Sequence, residues 1–476
     1  MRSTKSHAAV LVTLCVLVVL GVYARSAVSY GKPLAPNHAP LYGNFQNPIA
    51  DGLLHHQLSL TVEPQEGLLR LPDPYDPIAN DPYRAQGIHD FSLYKGKFYA
   101  YFGPAPAILL YIPFRIFRVG DLSPTIATLV FATLGFLFSL ALFRLLVRWC
   151  CGDIPVWMHC VAVFTLGLGV PVAWIVYIGR DYESSIACGY MLLFAGLYCV
   201  VRGGVTGTSP LSLGLGSAAF GLAIAARPSL AVAALFLVVT GLILRARHSG
   251  RRLALLLLAL VAPYVALGVL VALFNYARFG SITEFGQSYQ LSLVNVPKYP
   301  FGSFSYIPKG LFAYFVSPAR VLDDFPYLFL RKQEFDPVLV AQGPGLHMYL
   351  SEPVAGLVTN MPVVGIGFVL LLTRLRRVGR CFPRTIPTLL VLVVPAMFLV
   401  VVVSYQFQGA TMRYELDFAP LIVLASLLAW IAWYRAARGR AWVTWLGNGL
   451  WIAALLASIV FNLAITSTPC VGTGSC

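Results

Sequence analysis

Charged residues are scarce in this sequence: they make up 11% of its 476 residues, against roughly a quarter of an average soluble protein. Hydrophobic residues make up 58% of the chain, and its mean hydropathy is +0.75. The core of a water-soluble domain cannot hold so many apolar side chains, so most of them must face lipid. The sequence therefore predicts an integral membrane protein and excludes a soluble enzyme.

The sequence also lacks the short motifs of nucleotide and zinc chemistry. It has no GxxxxGK[ST], no GxGxxG after a strand and no HExxH, so cofactor chemistry is not indicated. The centres of its apolar runs contain no Asp, Glu, Lys or Arg. An ion-coupled transporter usually needs an ionisable group at membrane depth, so this absence counts against transport.

Cysteine is absent from the two long hydrophilic segments, 25–122 and 276–352. Cys150, Cys151 and Cys160 lie near His159, but their spacing does not fit zinc and we interpret them as structural. Near the C-terminus, Cys470 and Cys476 could form a small disulfide or remain as two free thiols, and the sequence leaves both alternatives open.

Eleven apolar runs are long enough to cross about 30 Å of hydrocarbon. The predicted spans are 8–24, 123–147, 155–177, 184–201, 210–226, 229–244, 253–275, 353–373, 386–403, 417–434 and 441–465. We interpret the first as a retained span; the alternative is a signal peptide cleaved after Val22-Tyr23-Ala24. A further apolar stretch, 101–118, contains three prolines and is interpreted as an interfacial helix.

This arrangement explains the formal charge of +15. With 101–118 outside the membrane, the cytoplasmic ends hold 17 of the 34 basic residues and only one acid, Asp153. Basic residues accumulate on cytoplasmic loops, so the charge indicates orientation and not nucleic-acid binding. The prediction is a multi-pass protein of the bacterial inner membrane, with a cytoplasmic N-terminus and an extracytoplasmic C-terminus.

The fold class predicted is an all-α integral membrane protein, a single polytopic domain over 1–476 with about 11 transmembrane helices. Two long extracytoplasmic segments, 25–122 and 276–352, are expected to carry interfacial helices and turns. Both are rich in proline and aromatic residues, whereas disordered segments are depleted in aromatics. We expect the function to lie on this outer face.

Four external corners bring charged and aromatic residues to that face, which suggests a polar cavity. Each has an ordinary alternative: interface anchoring for the lysines and tyrosines, and helix capping for acids at helix starts. The candidate residues are Asp90, Lys95 and Lys97 at the first corner; Arg180, Asp181 and Glu183 at the second; Arg278, Glu284 and Tyr289 at the third; and Arg413 and Glu415 at the fourth.

At these corners the sequence resembles bacterial membrane glycosyltransferases of the GT-C type, the superfamily of protein mannosyltransferases and aminoarabinose transferases. The matching stretches are PIADGLLHHQLSL, HDFSLYKGKFYAYFGPAPAILL, GRDYESSIACGY, NYARFGSITEFGQSYQL and MRYELDFAPL. The resemblance implies transfer of a sugar, with inversion, from a polyprenyl-phosphate donor to an extracytoplasmic lipid, glycan or protein. Two stretches depart from the pattern: Tyr42-Gly43-Asn44 replaces an acidic pair, and YFGPAP replaces a Lys-Pro-Pro.

The resemblance also implies roles for individual residues. An acid in the first outer segment would be the general base, and Asp90 and Asp51 are the candidates. Asp90 is preferred, because Lys95 and Lys97 follow it and could bind a phosphate. Arg278 and Arg413 would bind the polyprenyl phosphate. Whether a divalent cation, Mg²⁺ or Mn²⁺, also takes part is left open by the sequence. A non-enzymatic membrane protein of envelope polysaccharide export or assembly is the alternative function.

Overall fold

The computed structural model describes residues 2–28, 44–117, 120–299, 307–321, 323, 328–332, 350–367, 369–370, 409–437 and 439–467, and every structural statement below concerns these residues. They are overwhelmingly helical, which confirms the predicted all-α membrane class. The helices are α1 Arg2–Val28, α2 Gln46–Leu54, α3 Glu66–Leu69, α4 Asp81–Tyr83, α5 Ala107–Phe117, α6 Pro124–Cys150, α7 Val156–Gly167, α8 Val172–Ile178, α9 Asp181–Val200, α10 Pro210–Ala226, α11 Ala234–Arg247, α12 Gly250–Phe279, α13 Ile307–Phe315, α14 Leu357–Asn360, α15 Ala419–Ala437 and α16 Ala441–Ala464.

Short π and 3₁₀ turns join or extend several of these helices, at Arg84–Ile88, Val201–Val205, Pro228–Ala233, Gln287–Tyr289, Met412–Asp417 and Ile465–Ser467. The strands form four small two-stranded sheets: Phe91–Tyr94 with Lys97–Ala100, Arg320–Val321 with Leu328–Phe329, Arg331–Lys332 with Pro353–Val354, and Leu350–Ser351 with Gly409–Ala410. Only the last pair is parallel.

Eight helices of the described part of the chain are long and apolar enough to cross a membrane, so the protein is a multi-pass membrane protein. They match eight of the eleven predicted spans. The candidate spans are His7–Val28, Pro124–Cys150, Val156–Ile178, Asp181–Val205, Pro228–Arg247, Gly250–Phe279, Ala419–Ala437 and Ala441–Ala464.

The three other predicted spans have different outcomes. Helix α10 is apolar but has only 17 residues. The predicted span 353–373 does not begin at 353, because a strand and then α14 occupy its first residues, and helix resumes over 362–367. Met361 adopts an extended φ of −129°, since the residue before a proline is pushed out of the helical region. The predicted span 386–403 lies outside the described residues, as do Cys470 and Cys476.

The centre of the bundle is formed by the spans Val156–Ile178, Asp181–Val205 and Ala419–Ala437. Their apolar windows are 89%, 72% and 83% buried, against 17% for α1 and for α12. Helix α9 packs against α6 and α10 along its length. The exposed faces of α1 and α12 are apolar, as lipid-facing surfaces must be.

The segment 44–117 contains a β-hairpin that the sequence analysis did not predict. Phe91, Ser92 and Leu93 of its first strand are all buried, whereas the turn between the strands is exposed. Lys95 and Gly96 both have positive φ, 48° and 73°, as a tight two-residue hairpin turn requires. Helix α5 follows the hairpin and has 11 residues. At 1.5 Å per residue it is about 16 Å long, too short to cross a 30 Å core.

Candidate functional site

A cavity of about 350 Å³ opens where several membrane helices end on the same side of the bundle. The N-terminus of α9, the C-terminus of α10 and the turn before α15 surround it, and the loop after α12 reaches it. Its lining residues are Tyr101, Phe102, Gly103, Tyr182, Ile186, Ala226, Arg227, Pro228, Ser229, Phe285, Gln287, Arg413 and Tyr414. The cavity therefore has an aromatic wall and two arginines.

Arg227 enters the cavity from the break between two apolar helices. Its backbone is extended, with φ −148° and ψ 113°, because Pro228 disfavours a helical residue before it. The guanidinium Nε donates to Asp417 Oδ2 at 2.9 Å and lies 5.0 Å from the centre of the Tyr414 ring. Asp417 is buried, and a buried carboxylate requires such a partner.

The 3₁₀ turn Met412–Asp417 places its side chains by its period, since residues three apart lie on one face of a 3₁₀ helix. Tyr414 and Asp417 share a face and both contact Arg227. Met412 and Glu415 share another face, towards Asn360 on α14. Arg413 projects between these faces into the cavity. One short turn thus supplies residues to the cavity on one side and to the contact with α14 on the other.

Arg413 is held between two carboxylates, Glu352 and Glu183. Its Nη2 donates to Glu352, and its Nη1 lies 3.5 Å from Glu183 Oε1. The guanidinium also lies 5.0 Å from the centre of the Tyr182 ring. Burial alone would lower the pKa of Arg413, but Glu352 and Glu183 outweigh it and raise the pKa above its ordinary value. Arg413 therefore keeps its charge in a poorly hydrated place.

Asp90 stands behind the cavity wall and reaches it through Tyr182. The Tyr182 hydroxyl, on the cavity side of α9, donates to Asp90 Oδ2, and His89 Nε2 lies 3.7 Å from Asp90 Oδ1. Asp90 adopts a left-handed φ of 64°, which aspartate tolerates better than most residues but which still carries strain. Its N–H donates to the Leu291 carbonyl at 2.9 Å, which fixes this conformation.

The aromatic wall is made by Tyr101 and Phe102, whose ring centres are 4.2 Å apart. Burial raises the pKa of Tyr101 well above its ordinary value, with the charge of Asp90 adding to the effect, so this phenol stays neutral. Gly103 makes close packing possible here, because a Cβ on it would lie 1.9 Å from the Ala225 carbonyl oxygen. This approach accounts for a glycine within the YFGPAP stretch.

Among the predicted residues, the structure brings Asp90, Glu183 and Arg413 to this site. Arg180 and Asp181 begin the same helix, α9, but have other contacts. The Arg180 N–H donates to Glu183 Oε2 at 3.1 Å. Asp181 is fully buried and accepts from the N–H groups of Phe45 and Gln46 and from the Tyr111 hydroxyl. Asp181 therefore joins α9 to α2 and α5, as a helix-start acid in a structural role does.

Asp51 lies on α2, away from the residues that line the cavity. Its carboxylate pairs with Arg115 on α5 and accepts from Thr61 Oγ1 at 2.7 Å. The predicted phosphate ligands Lys95 and Lys97 are exposed at the turn of the hairpin. The structure thus separates Asp90 from the lysines that made it attractive in the sequence, because the hairpin carries them away from the wall.

Arg278, Glu284 and Tyr289 organise the loop after α12. Arg278 is buried, donates to the Ala100 carbonyl at 2.8 Å and stacks on Phe274, so it fixes α12 to the hairpin and does not line the cavity. Glu284 accepts from the Gly286 N–H and from Ser288 Oγ, each at 2.6 Å. Tyr289 packs its ring 4.5 Å from that of Tyr94.

Sequence reasoning missed Arg227 as a functional candidate. The available signal was an Arg-Pro pair alone between the apolar runs 210–226 and 229–244, at a turn predicted to face outside. A basic residue on that side runs against the charge rule for loops. Tyr182 lies in the stretch GRDYESSIACGY, but the sequence does not mark it as a site residue, because only the fold shows that it contacts Asp90.

The described residues contain no group of three or more His, Cys, Asp or Glu side chains able to hold a metal ion. The acids near the cavity are bonded to arginine or tyrosine instead: Asp417 to Arg227, Glu183 and Glu352 to Arg413, and Asp90 to Tyr182. This donor set, in the part of the chain that is described, does not fit an Mg²⁺ or Mn²⁺ site.

No protein-family model matches the sequence, and no curated protein matches it significantly. Among solved structures, it is similar to the apo oligosaccharyltransferase of Archaeoglobus fulgidus, with a TM-score of 0.51 and 13% identity, over 96% of this chain and 56% of that one. It is also similar to ArnT from Cupriavidus metallidurans bound to undecaprenyl phosphate, with a TM-score of 0.44 and 14% identity, over 96% and 75%.

The match to the oligosaccharyltransferase shows the fold. This is the kind of fold that the resemblance of the corner motifs implies, and at 13% identity the match shows the fold alone. The chain spans about half the length of that oligosaccharyltransferase.

Proposed function

We propose that this protein is a membrane glycosyltransferase that moves a sugar from a polyprenyl-phosphate donor to an extracytoplasmic hydroxyl acceptor, on a lipid, glycan or protein. One observation carries the proposal: two arginines and an aspartate–tyrosine pair converge on a cavity at the ends of membrane helices. The positive-inside pattern supports a bacterial inner membrane with this cavity on the outer side. The GT-C fold supports the class of reaction.

The two arginines suit the phosphate of a membrane-anchored donor. Guanidinium groups bind phosphate through paired, charge-assisted hydrogen bonds. Arg227 and Arg413 are already oriented by Asp417, Glu183 and Glu352, so they need little rearrangement when charge develops on the leaving group. A lipid carrier can bring its phosphate to this level without leaving the bilayer.

The chemistry needs a base on the acceptor side. The acceptor hydroxyl loses its proton to the Asp90 carboxylate, directly or through the Tyr182 phenol, which gives its own proton to Asp90 and takes the acceptor's. The hydroxyl oxygen then forms a bond to the anomeric carbon. The bond from that carbon to the phosphate oxygen breaks, and its electron pair leaves with the polyprenyl phosphate. Attack opposite the leaving group inverts the anomeric configuration.

The aromatic wall supports binding of the sugar and exclusion of water. Tyr101, Phe102 and Tyr182 line the cavity, and rings that keep water from the reacting groups strengthen the electrostatic interactions there.

Binding of undecaprenyl phosphate to the purified protein in lipid nanodiscs tests the phosphate site. Arg227→Lys and Arg413→Lys keep the charge that their buried carboxylates need but lose the planar fork. We expect each to weaken binding about tenfold or more, the loss of a charge-assisted hydrogen bond. Arg435→Lys, at the exposed far end of α15, is the matched control. Equal affinity in all four proteins would contradict the assignment.

A further inference from the structure

Glu415 is a buried acid that the proposed chemistry does not use. It lies on the 3₁₀ turn Met412–Asp417 and is completely buried. Its Oε2 accepts one hydrogen bond, from Asn360 Nδ2 at 3.1 Å, and its Oε1 has no hydrogen-bond partner among the described residues. A carboxylate with one neutral partner and no cation is costly to bury.

Asn360, the partner of Glu415, also has a buried oxygen without a hydrogen-bond donor within the described ranges. Its Oδ1 is buried and also has no hydrogen-bond partner in the described part of the chain. Its position is fixed by α14, where its N–H donates to the Gly356 carbonyl at 2.8 Å and the Gly356 N–H donates to the Ser317 carbonyl at 2.9 Å. Two acceptor oxygens, one on each side chain, thus lack a donor, and a single proton supplies it.

We propose that Glu415 is a neutral carboxylic acid that forms a two-point acid–amide pair with Asn360 and thereby positions the turn carrying Arg413 and Asp417. In this pair the Asn360 Nδ2–H donates to Glu415 Oε2, and a protonated Glu415 Oε1–H donates to Asn360 Oδ1. Glu415 is a positioning residue, since it acts through its neighbours and does not touch the cavity. The activity readout below rests on the proposed function, whereas the other two do not.

The surroundings of Glu415 favour the proton. Burial raises its pKa well above the ordinary value, and only the Asn360 hydrogen bond opposes this. Helix α14 contains no titratable residue. The acids of α9, which packs on the turn, face elsewhere: Asp181 towards Phe45 and Tyr111, and Glu183 towards Arg413.

The remaining charged groups do not neutralise Glu415 either. On its own turn, Arg413 pairs with Glu352 and Glu183, and Asp417 with Arg227. Helix α15, which also packs on the turn, has its titratable residues, Tyr434 and Arg435, near its far end. No cation of the described elements packed here pairs with Glu415.

The linkage to pH has a definite sign. An acid whose pKa is higher in the folded state holds more protons folded than unfolded, so stability falls as pH rises above the unfolded value. The window begins near the ordinary glutamate pKa of 4.5 and extends upward. In that window one extra bound proton changes the unfolding equilibrium constant by about tenfold per pH unit.

Glu415→Gln tests the proposal, because its amide reproduces both hydrogen bonds without a titratable proton. We expect it to fold and to keep near wild-type transfer activity at neutral pH. The decline of its thermal unfolding midpoint in detergent above pH 4.5 should be smaller than that of the wild type. Glu66→Gln, an exposed acid on α3, is the matched control and should keep the wild-type decline.

Infrared spectroscopy gives a readout that requires neither transfer nor unfolding. The wild type should show a carboxylic-acid C=O band at neutral pH that is absent in Glu415→Gln and present in Glu66→Gln. Glu415→Ala, which removes both hydrogen bonds, should lower activity at least tenfold. The proposal is overturned if Glu415→Gln fails to fold, if its pH dependence equals that of the wild type, or if no acid band is lost.

Discussion

At the scale of single residues, the proposed reaction requires one acid to take the proton of the acceptor hydroxyl. Asp90 and Asp51 are alternatives in the sequence, since both lie in the first outer segment. In the structure, Asp90 is bonded to Tyr182 on the cavity wall, whereas Asp51 is engaged by Arg115 and Thr61 on another face. The structure thus places the preferred candidate, Asp90, beside the cavity and Asp51 away from it, and substitution of each can test the difference.

Asp90→Asn should lower sugar transfer by about 10²–10⁴-fold, the contribution typical of a general base. Asp51→Asn should retain most of the activity, because its amide oxygen can still accept from Arg115 while its NH2 group donates to the Thr61 hydroxyl. Initial rates with a labelled lipid-linked donor in membranes check this, together with undecaprenyl phosphate binding, which neither change should affect. Full activity in Asp90→Asn would remove Asp90 from the reaction, and a larger loss in Asp51→Asn would reverse the assignment.

Residue types in the corner motifs predicted only part of the site. They identified Asp90, Glu183 and Arg413, because charges at helix ends on one membrane face are visible in sequence. They did not predict that Asp181 and Arg278 serve packing, since the partner of Asp181 just before α2 and that of Arg278 on the hairpin lie 136 and 178 positions away. Side-chain partners over such separations are set by the fold.

At the scale of elements, the loop after α12 forms one side of the cavity through Phe285 and Gln287. Gly286 between them has a φ of 101°, and its carbonyl accepts from Ser92 Oγ at 2.7 Å. A Cβ at this position would meet Phe279 Cζ at 2.6 Å and Ser92 Oγ at 2.8 Å. The loop conformation therefore depends on glycine.

Gly286→Ala should displace this loop, at a cost of about 1 kcal/mol or more from the disfavoured φ, and lower transfer activity while the protein remains folded. Gly96→Ala is the matched control: its φ is also positive, at 73°, but a Cβ there meets nothing within 4 Å. It should carry a similar strain in the hairpin turn without loss of transfer. Equal activities in the two variants would show that the loop has no part in the site.

The membrane helices were predicted well because hydropathy over some twenty residues reports lipid exposure directly. The hairpin was missed, although FSLY and KFYA alternate, because the Lys-Gly turn between them is a weak signal beside Asn-Gly. The prediction that a span begins at 353 was wrong for a related reason. Hydropathy does not register a break such as Met361-Pro362, where backbone geometry ends α14.

At the scale of the whole molecule, the two ends of the apolar bundle differ in charge and in proposed function. Basic residues mark one membrane face, and the cavity with Arg227 and Arg413 opens where helices end on the other. A site where membrane helices end can accept a phosphate whose carrier remains in the bilayer.

Release of labelled sugar from a lipid carrier tests this claim most directly. Nanodiscs with the purified protein would receive undecaprenyl-phosphate-linked hexoses and pentoses, with bacterial membrane extract as the source of acceptor. We predict transfer of label from one of these donors by the wild type, and a loss of at least about a hundredfold in the Arg227→Lys/Arg413→Lys double variant. No transfer from any donor, or an undiminished rate in the double variant, would contradict the account.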